Sequence, residues 1–229
     1  MNGWHAGDLG IVLLSLRVAL VATVASVPAA VVIALVLARG RFWGRTLVDA
    51  FVHLPLVLPP VVTGYFLLRL FGRNGAVGGF LERWFGIVFA FRWTGAALAA
   101  AVMGFPLMVR AIRLAIENVD RQLEEAASSL GASPVWAMVT VTVPLALPGV
   151  VSGMVVAFAK ALGEFGATIT FVSNIPGETQ TLALAIYGLV ETPGGDAAAM
   201  RLVWISVALS FAALLVSEML ARRVKRTHR

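Results

Sequence analysis

From Glu117 to Pro144 the chain reads ENVDRQLEEAASSLGASPVWAMVTVTVP, a polar stretch set between two apolar runs. Its punctuation predicts two short helices joined by a tight turn. Asp120 is placed to cap the first. Leu123, Ala126, Ala127 and Leu130 recur at helical spacing and predict a small apolar face opposite Arg121, Glu124, Glu125 and Ser128. Gly131 supplies a left-handed stop, and Ser133 with Pro134 provides a cap and a first-turn proline for the second helix. On this pattern alone the elbow is either a hairpin with no partner or a surface that another protein grips.

The runs that flank the elbow belong to a longer series. A bilayer core about 30 Å thick takes roughly 20 apolar residues as a helix, and five stretches fit, at about 9–38, 48–71, 93–115, 146–172 and 198–220. Pro28 is expected to kink the first, and Pro55, Pro59 and Pro60 crowd the second. The first run has no basic segment before it and is longer than a signal peptide needs, so it is expected to be retained. The run from Trp84 to Phe91 is short for a span and is expected at the membrane interface, the alternative being a sixth span that would put both termini on one side. With 229 residues, 59% of them hydrophobic and 13% charged, and a mean hydropathy of +0.90, the chain lies outside the range of soluble domains. The expected class is an all-α membrane protein of about five transmembrane helices, forming one domain over 1–229 with the elbow, 117–144, inside it.

Composition also excludes several chemistries. The net charge of +6 sits on basic residues that flank apolar runs, so no nucleic-acid partner is expected. The absence of cysteine removes disulfides and thiol chemistry. His5, His53 and His228 are too scattered for a zinc spacing. An intramembrane enzyme would need a paired carboxylate, or a nucleophile with its base, at one depth, and Glu164 is the only carboxylate well inside a span.

Cytoplasmic connections collect Lys and Arg. With the N-terminus outside, eleven such residues fall on inner segments: Arg39, Arg41, Arg45, Arg110, Arg113, Arg121, Arg222, Arg223, Lys225, Arg226 and Arg229. Five fall on the outer side, Arg73, Arg83 and Arg92 in the loop 72–92 and Arg69 and Arg201 near outer helix ends, while Arg17 and Lys160 lie within spans. The expected orientation is N-out, C-in, with the elbow in the cytoplasm.

The elbow contains Glu125-Ala126-Ala127, three residues, Gly131, nine residues, Val141, one residue, then Val143-Pro144. This resembles the EAA loop of ABC importer permeases, whose pattern has isoleucine and leucine where valines stand here. The resemblance implies the type I ABC importer permease fold and a coupling role for the loop. Glu125 would offer a carboxylate to a basic ATPase residue, Ala126 and Ala127 would allow close approach, Gly131 would make the turn, and Pro144 would close the motif. The chain has no GxxxxGK[ST] loop to cradle nucleotide phosphates. It is therefore expected to bind no cofactor and to catalyse nothing itself, with ATP used by a partner ATPase.

Within the fourth run, AFAKALGEFGATITFV puts Lys160 and Glu164 four residues apart, on one helix face. Ionisable residues at membrane depth normally face a bundle interior or a water-filled path. The pair is either a neutralising salt bridge or, with Gly163, Gly166, Thr168 and Thr170 nearby, part of a translocation pathway or its gate. The loop after it is free of Lys and Arg and carries Glu178, Glu191 and Asp196, either solvated or facing a basic partner, with a short helix expected over Thr181 to Val190. LPLVLPP from Leu54 and VPLALPG from Val143 echo each other as two proline-kinked entrances to the membrane.

HLPLVLPPVVTGY from His53, FPLMVRAIRLAIENVD from Phe105 and LGEFGATITFVSNIPGETQTL from Leu162 resemble molybdate ABC transporter permease subunits. Sulfate and thiosulfate permeases, the nearest alternative, share the LGEFGA and EAA elements. The resemblance implies a multi-pass inner-membrane permease for molybdate, and for tungstate, which is close in charge and size. It further implies a homodimer, two cytoplasmic ATPase subunits and a periplasmic molybdate-binding protein. An ion-driven secondary transporter would also value Lys160 and Glu164, but it needs no EAA elbow.

Overall fold

The computed structural model describes residues 6–227, and all the regular structure among them is helical. The first helix, α1 (Ala6–Arg39), runs without interruption through Pro28. Then come α2 (Arg45–Val57), α3 (Pro60–Phe71), α4 (Ala76–Phe85) and α5 (Trp93–Glu117). The elbow comprises α6 (Arg121–Ser129), α7 (Pro134–Ala137), a π-turn (Met138–Thr142) and α8 (Val143–Leu145), and it leads into α9 (Leu147–Leu162). The chain ends in α10 (Gly166–Val172), α11 (Leu182–Val190) and α12 (Asp196–Thr227).

Among the described residues, three helices are long and apolar enough to cross a membrane: α1 from Gly7, α5, and α12 over Asp196–Ala213. Two bent pairs bring the number to five if each counts as one span. The second expected span, 48–71, is not straight, because α2 and α3 meet at 111°. Pro59 and Pro60 lack backbone N–H groups and disfavour helix in the residue before each, and Leu58 is extended at φ −69°, ψ 144°. The fourth, 146–172, is broken twice. Helix axes turn by 64° at Ala146, and α9 stops at Leu162 before α10 begins at Gly166. The two echoing proline segments each lead into one of these bends. The ten residues of α4 make about 15 Å of helix, too short to cross.

The core is built from small residues. Helix α5 lies between α1 and α9, with Ala30, Ala34, Ala38, Met108, Val109, Ile112, Val150 and Ala157 buried together. Nearer Trp93, Ala19, Ala22, Ala96, Ala99, Ala100 and Ala167 close around Phe171. Lipid is as apolar as leucine, so membrane helices gain stability from close backbone approach. Gly104 accordingly lies against Ala157, and Gly153 against Met108. Two polar markers bound this bundle. Arg17 stacks over the Trp93 ring at 3.7 Å, and Arg39 ends α1. Between them Val18 to Ala38 carries no charge and measures about 30 Å at 1.5 Å per residue.

Candidate functional site

The elbow folds through local capping. The Asp120 carboxylate accepts from Gln122 N at 2.9 Å, and the Ser133 hydroxyl accepts from Trp136 N at 3.3 Å. At the turn Gly131 has φ +93°. Ala132 N donates to Ala127 O and Gly131 N to Ser128 O, the paired bonds of a Schellman stop.

Which way α6 faces differs from the expectation. None of its residues is buried, and the apolar Leu123 and Leu130 point outward, Leu130 at 90% exposure. Val135 and Trp136 on the next helix are exposed as well. Glu124, expected on the solvated polar side, turns inward. Its Oε1 accepts from Arg39 Nε at 2.9 Å and from Thr142 Oγ1 at 2.7 Å, while Arg39 Nη2 lies 2.8 Å away and also donates to Val119 O at 2.9 Å. The sequence placed Glu124 beside Glu125 without separating them. Of the coupling candidates, Glu125, Ala126, Gly131 and Pro144 are exposed and Ala127 is half-buried.

The translocation candidates meet at the second break. Glu164 is 3% exposed. Its Oε2 accepts from Lys160 Nζ at 2.6 Å, and its Oε1 accepts from Ala167 N at 3.0 Å. The pair is formed, but not along a continuous helix face, because Gly163 already caps α9. Glu164 instead bridges the end of one helix and the start of another, satisfying a first-turn N–H that would otherwise lack a partner. Thr168 is buried, Gly166 half-buried and Gly163 exposed. The Gly104–Ala157 and Met108–Gly153 pairs define an antiparallel register, which puts Lys160 and Glu164 in the half of the bundle nearer Trp93.

This break adjoins the first one. A Cβ on Gly166 would lie 2.7 Å from Cβ of Pro60, and one on Gly64 would lie 2.5 Å from the carbonyl oxygen of Ala167. Helices α3 and α10 therefore touch backbone to backbone, and two interrupted helices are held together there. Sequence reading recognised the glycines near Glu164 but not Gly64, whose signal, the Pro-Pro-Val-Val-Thr-Gly run, shows only that α3 begins there.

At the Trp93 end, Leu182 N donates to the Ser15 hydroxyl of α1 at 2.8 Å, which docks α11 in the expected place. Glu191 and Asp196 are exposed, whereas Glu178 is half-buried and accepts a long 3.5 Å bond from Trp93 N. At the elbow end, Arg113 joins α5 to α2 through Asp49 at 3.0 Å and pairs with Glu117 at 2.8 Å. A cavity of about 270 Å³ opens beside them, lined by Asp49, His53, Arg110, Arg113, Leu114 and Glu117.

Residues 26–226 match the family described as "binding-protein-dependent transport system inner membrane component". The molybdenum transport system permease protein of Escherichia coli K12 is 59% identical over 211 residues, covering 92% of each chain. Its counterpart in Haemophilus influenzae is 52% identical over 219 residues, covering 96% of each. Among solved structures, a bacterial alginate ABC transporter in complex with alginate pentasaccharide-bound periplasmic protein superposes with a TM-score of 0.75 at 18% identity, over 96% of this chain and 80% of that one. The broken helices, the exposed elbow and the length of these matches agree: the chain belongs to the binding-protein-dependent transport system inner membrane components, as a multi-pass ABC importer permease of the inner membrane.

Proposed function

We propose that the chain is the permease subunit of an ATP-driven molybdate importer, which also accepts tungstate, and that two copies enclose the pathway on a twofold axis. The substrate reading is supported by the 59% identity to a molybdenum permease. The observation that carries the coupling reading is the outward-facing elbow. Leu123, Leu130, Val135 and Trp136 are exposed on it beside an exposed Glu125, a surface suited to the cleft of a cytoplasmic ATPase. Glu125, Ala126, Ala127, Gly131 and Pro144 belong to that contact. The chain binds no cofactor, and ATP is hydrolysed by the partner. With the elbow inside, the N-terminus is outside and the C-terminus inside, a reading that the eleven-to-five distribution of basic residues favours. A periplasmic binding protein delivers the oxyanion to the Trp93 end, where Glu191 and Asp196 offer acidic contacts.

Lys160, Gly163, Glu164, Gly166 and Thr168 form the gate. The meeting of two broken helices supports this, because non-helical backbone at membrane depth occurs where it is buried in protein or lines a cavity. Glu164 acts there as the partner of a cation and not as a ligand for an anion.

The test is uptake of labelled molybdate by cells deprived of their own molybdate permease, with the matching ATPase and binding protein supplied. Uptake that depends on ATP and is competed by tungstate but not by excess sulfate is expected. Uptake driven by an ion gradient without the ATPase would refute the reading, and sulfate competition at equal concentration would move the substrate to sulfate.

A further inference from the structure

The Glu124–Arg39 contact is the elbow's polar hold on the bundle. Among the described residues, no other side chain of α6 forms an ion pair or side-chain hydrogen bond with another helix. One carboxylate oxygen gathers Arg39 from the end of α1 and Thr142 from the π-turn, and Arg39 reaches on to the Val119 carbonyl at the α5–α6 junction. Thr142 is fully buried, and the side chains of Arg39 and Glu124 are 11% and 20% exposed, so water competes little for these charge-assisted bonds. The π-turn is itself a local departure from α geometry of the kind found at functional sites. Beyond Arg39, Leu37, Ala38, Ala34 and Ala30 pack against α5 and α9 in one close-packed cluster. Close packing of this kind has low compressibility and transmits strain.

The geometry points to Glu124 and Arg39 as the positioning pair that transmits elbow displacement into the membrane helices. Glu125 and its neighbours would receive the ATPase, and Glu124 would pass the motion to α1 and the π-turn. This rests on the elbow being the ATPase contact. Without the clamp, α6 could follow the ATPase while α1 stays behind, so ATP would be hydrolysed with little transport.

The experiment uses the complete transporter, permease with ATPase and binding protein, reconstituted in lipid vesicles, and reads molybdate moved per ATP hydrolysed. Glu124→Gln and Arg39→Gln are expected to keep ATPase assembly and binding-protein-stimulated hydrolysis within about twofold of wild type, while molybdate per ATP falls at least tenfold. Because the two residues act as a unit, the double variant is expected to fall no further than either single one. If uptake and hydrolysis drop in the same proportion, or the ratio is unchanged, or the two losses multiply, the pair is only a structural staple and the inference is overturned. If Glu124→Gln does not accumulate, Thr142→Val takes its place, with a fall of at least threefold expected in the same ratio and an unchanged ratio counting against the clamp. Glu125→Lys separates the two readings. Loss of ATPase binding in Glu125→Lys together with a wild-type ratio in Glu124→Gln leaves the docking surface standing and removes the clamp. Normal ATPase binding and stimulation in Glu125→Lys removes both.

Discussion

Gly166 sits so close to Pro60 that a side chain on it would bring two β-carbons to 2.7 Å. Neither partner can yield easily, since proline is a ring fixed to its own backbone and Gly166 opens α10. The same crossing contains Gly64, whose Cβ would meet the Ala167 carbonyl at 2.5 Å. This crossing joins the two helix breaks and so holds the proposed gate in shape.

Gly166→Ala and Gly64→Ala are therefore expected to destabilise the permease by about 1–3 kcal/mol each, the range for forcing extra carbon into a packed site. Gly163→Ala is the control. A Cβ there meets nothing within 4 Å, and its φ of −94° suits any residue. Thermal unfolding in detergent should lower the midpoint for the first two and leave the third near wild type. Equal midpoints for all three would show that α3 and α10 do not touch as described.

Removing one member of the Lys160–Glu164 pair leaves a charge without its partner. Glu164→Ala also strips the bond to Ala167 N, and breaking a buried pair costs about 3–5 kcal/mol. With Lys160 about one-third exposed, the lower end, about 3 kcal/mol, is expected. The double variant Lys160→Ala/Glu164→Ala should be less destabilised than the sum of the singles, as contacting residues require. Additive losses in chemical unfolding would mean that the pair is not coupled.

At the elbow, Gly131→Val meets no steric neighbour, so its whole effect comes from φ +93°. The left-handed conformation costs a non-glycine residue about 1–2 kcal/mol, and more when it is β-branched. The variant should reach the membrane at normal levels yet pull down less ATPase. Glu125→Lys should weaken the same assembly by more than tenfold, from the loss of about 2–5 kcal/mol at a charged contact. Co-purification of the ATPase at matched expression measures both, and wild-type recovery would take the elbow out of the coupling route.

Topology can be mapped by chemical labelling, because the chain has no cysteine of its own. Asn74→Cys and Ser129→Cys both lie at exposed positions. A membrane-impermeant maleimide is expected to label Asn74→Cys in intact cells from which the outer barrier has been removed, and Ser129→Cys only after the inner membrane is opened. The reverse pattern would invert the orientation proposed for the whole chain.

Much of this protein was legible without coordinates, and the legible part is local. Asp120, Gly131, Ser133 and Pro134 act on backbone groups within five residues of themselves, so their order in the chain determines the elbow's caps and turn. Apolar run length selects membrane helices, because each must satisfy its backbone internally. Proline pairs mark the first break for the same local reason. What the tertiary structure decided is which faces meet. Glu124 and Glu125 are neighbours of one type, yet among the described residues Glu124 finds a partner 85 residues away while Glu125 stays exposed. The leucines of α6 point outward and one of its two acids, Glu124, inward, the reverse of the pattern expected from amphipathicity. Periodicity reads an interior from apolar residues, and it loses that power in a chain whose outer surface meets lipid and protein partners. The interior here is signalled by residues small enough for backbones to touch, such as Gly64 and Gly166, and which glycine meets which helix depends on long-range packing that no stretch of sequence contains.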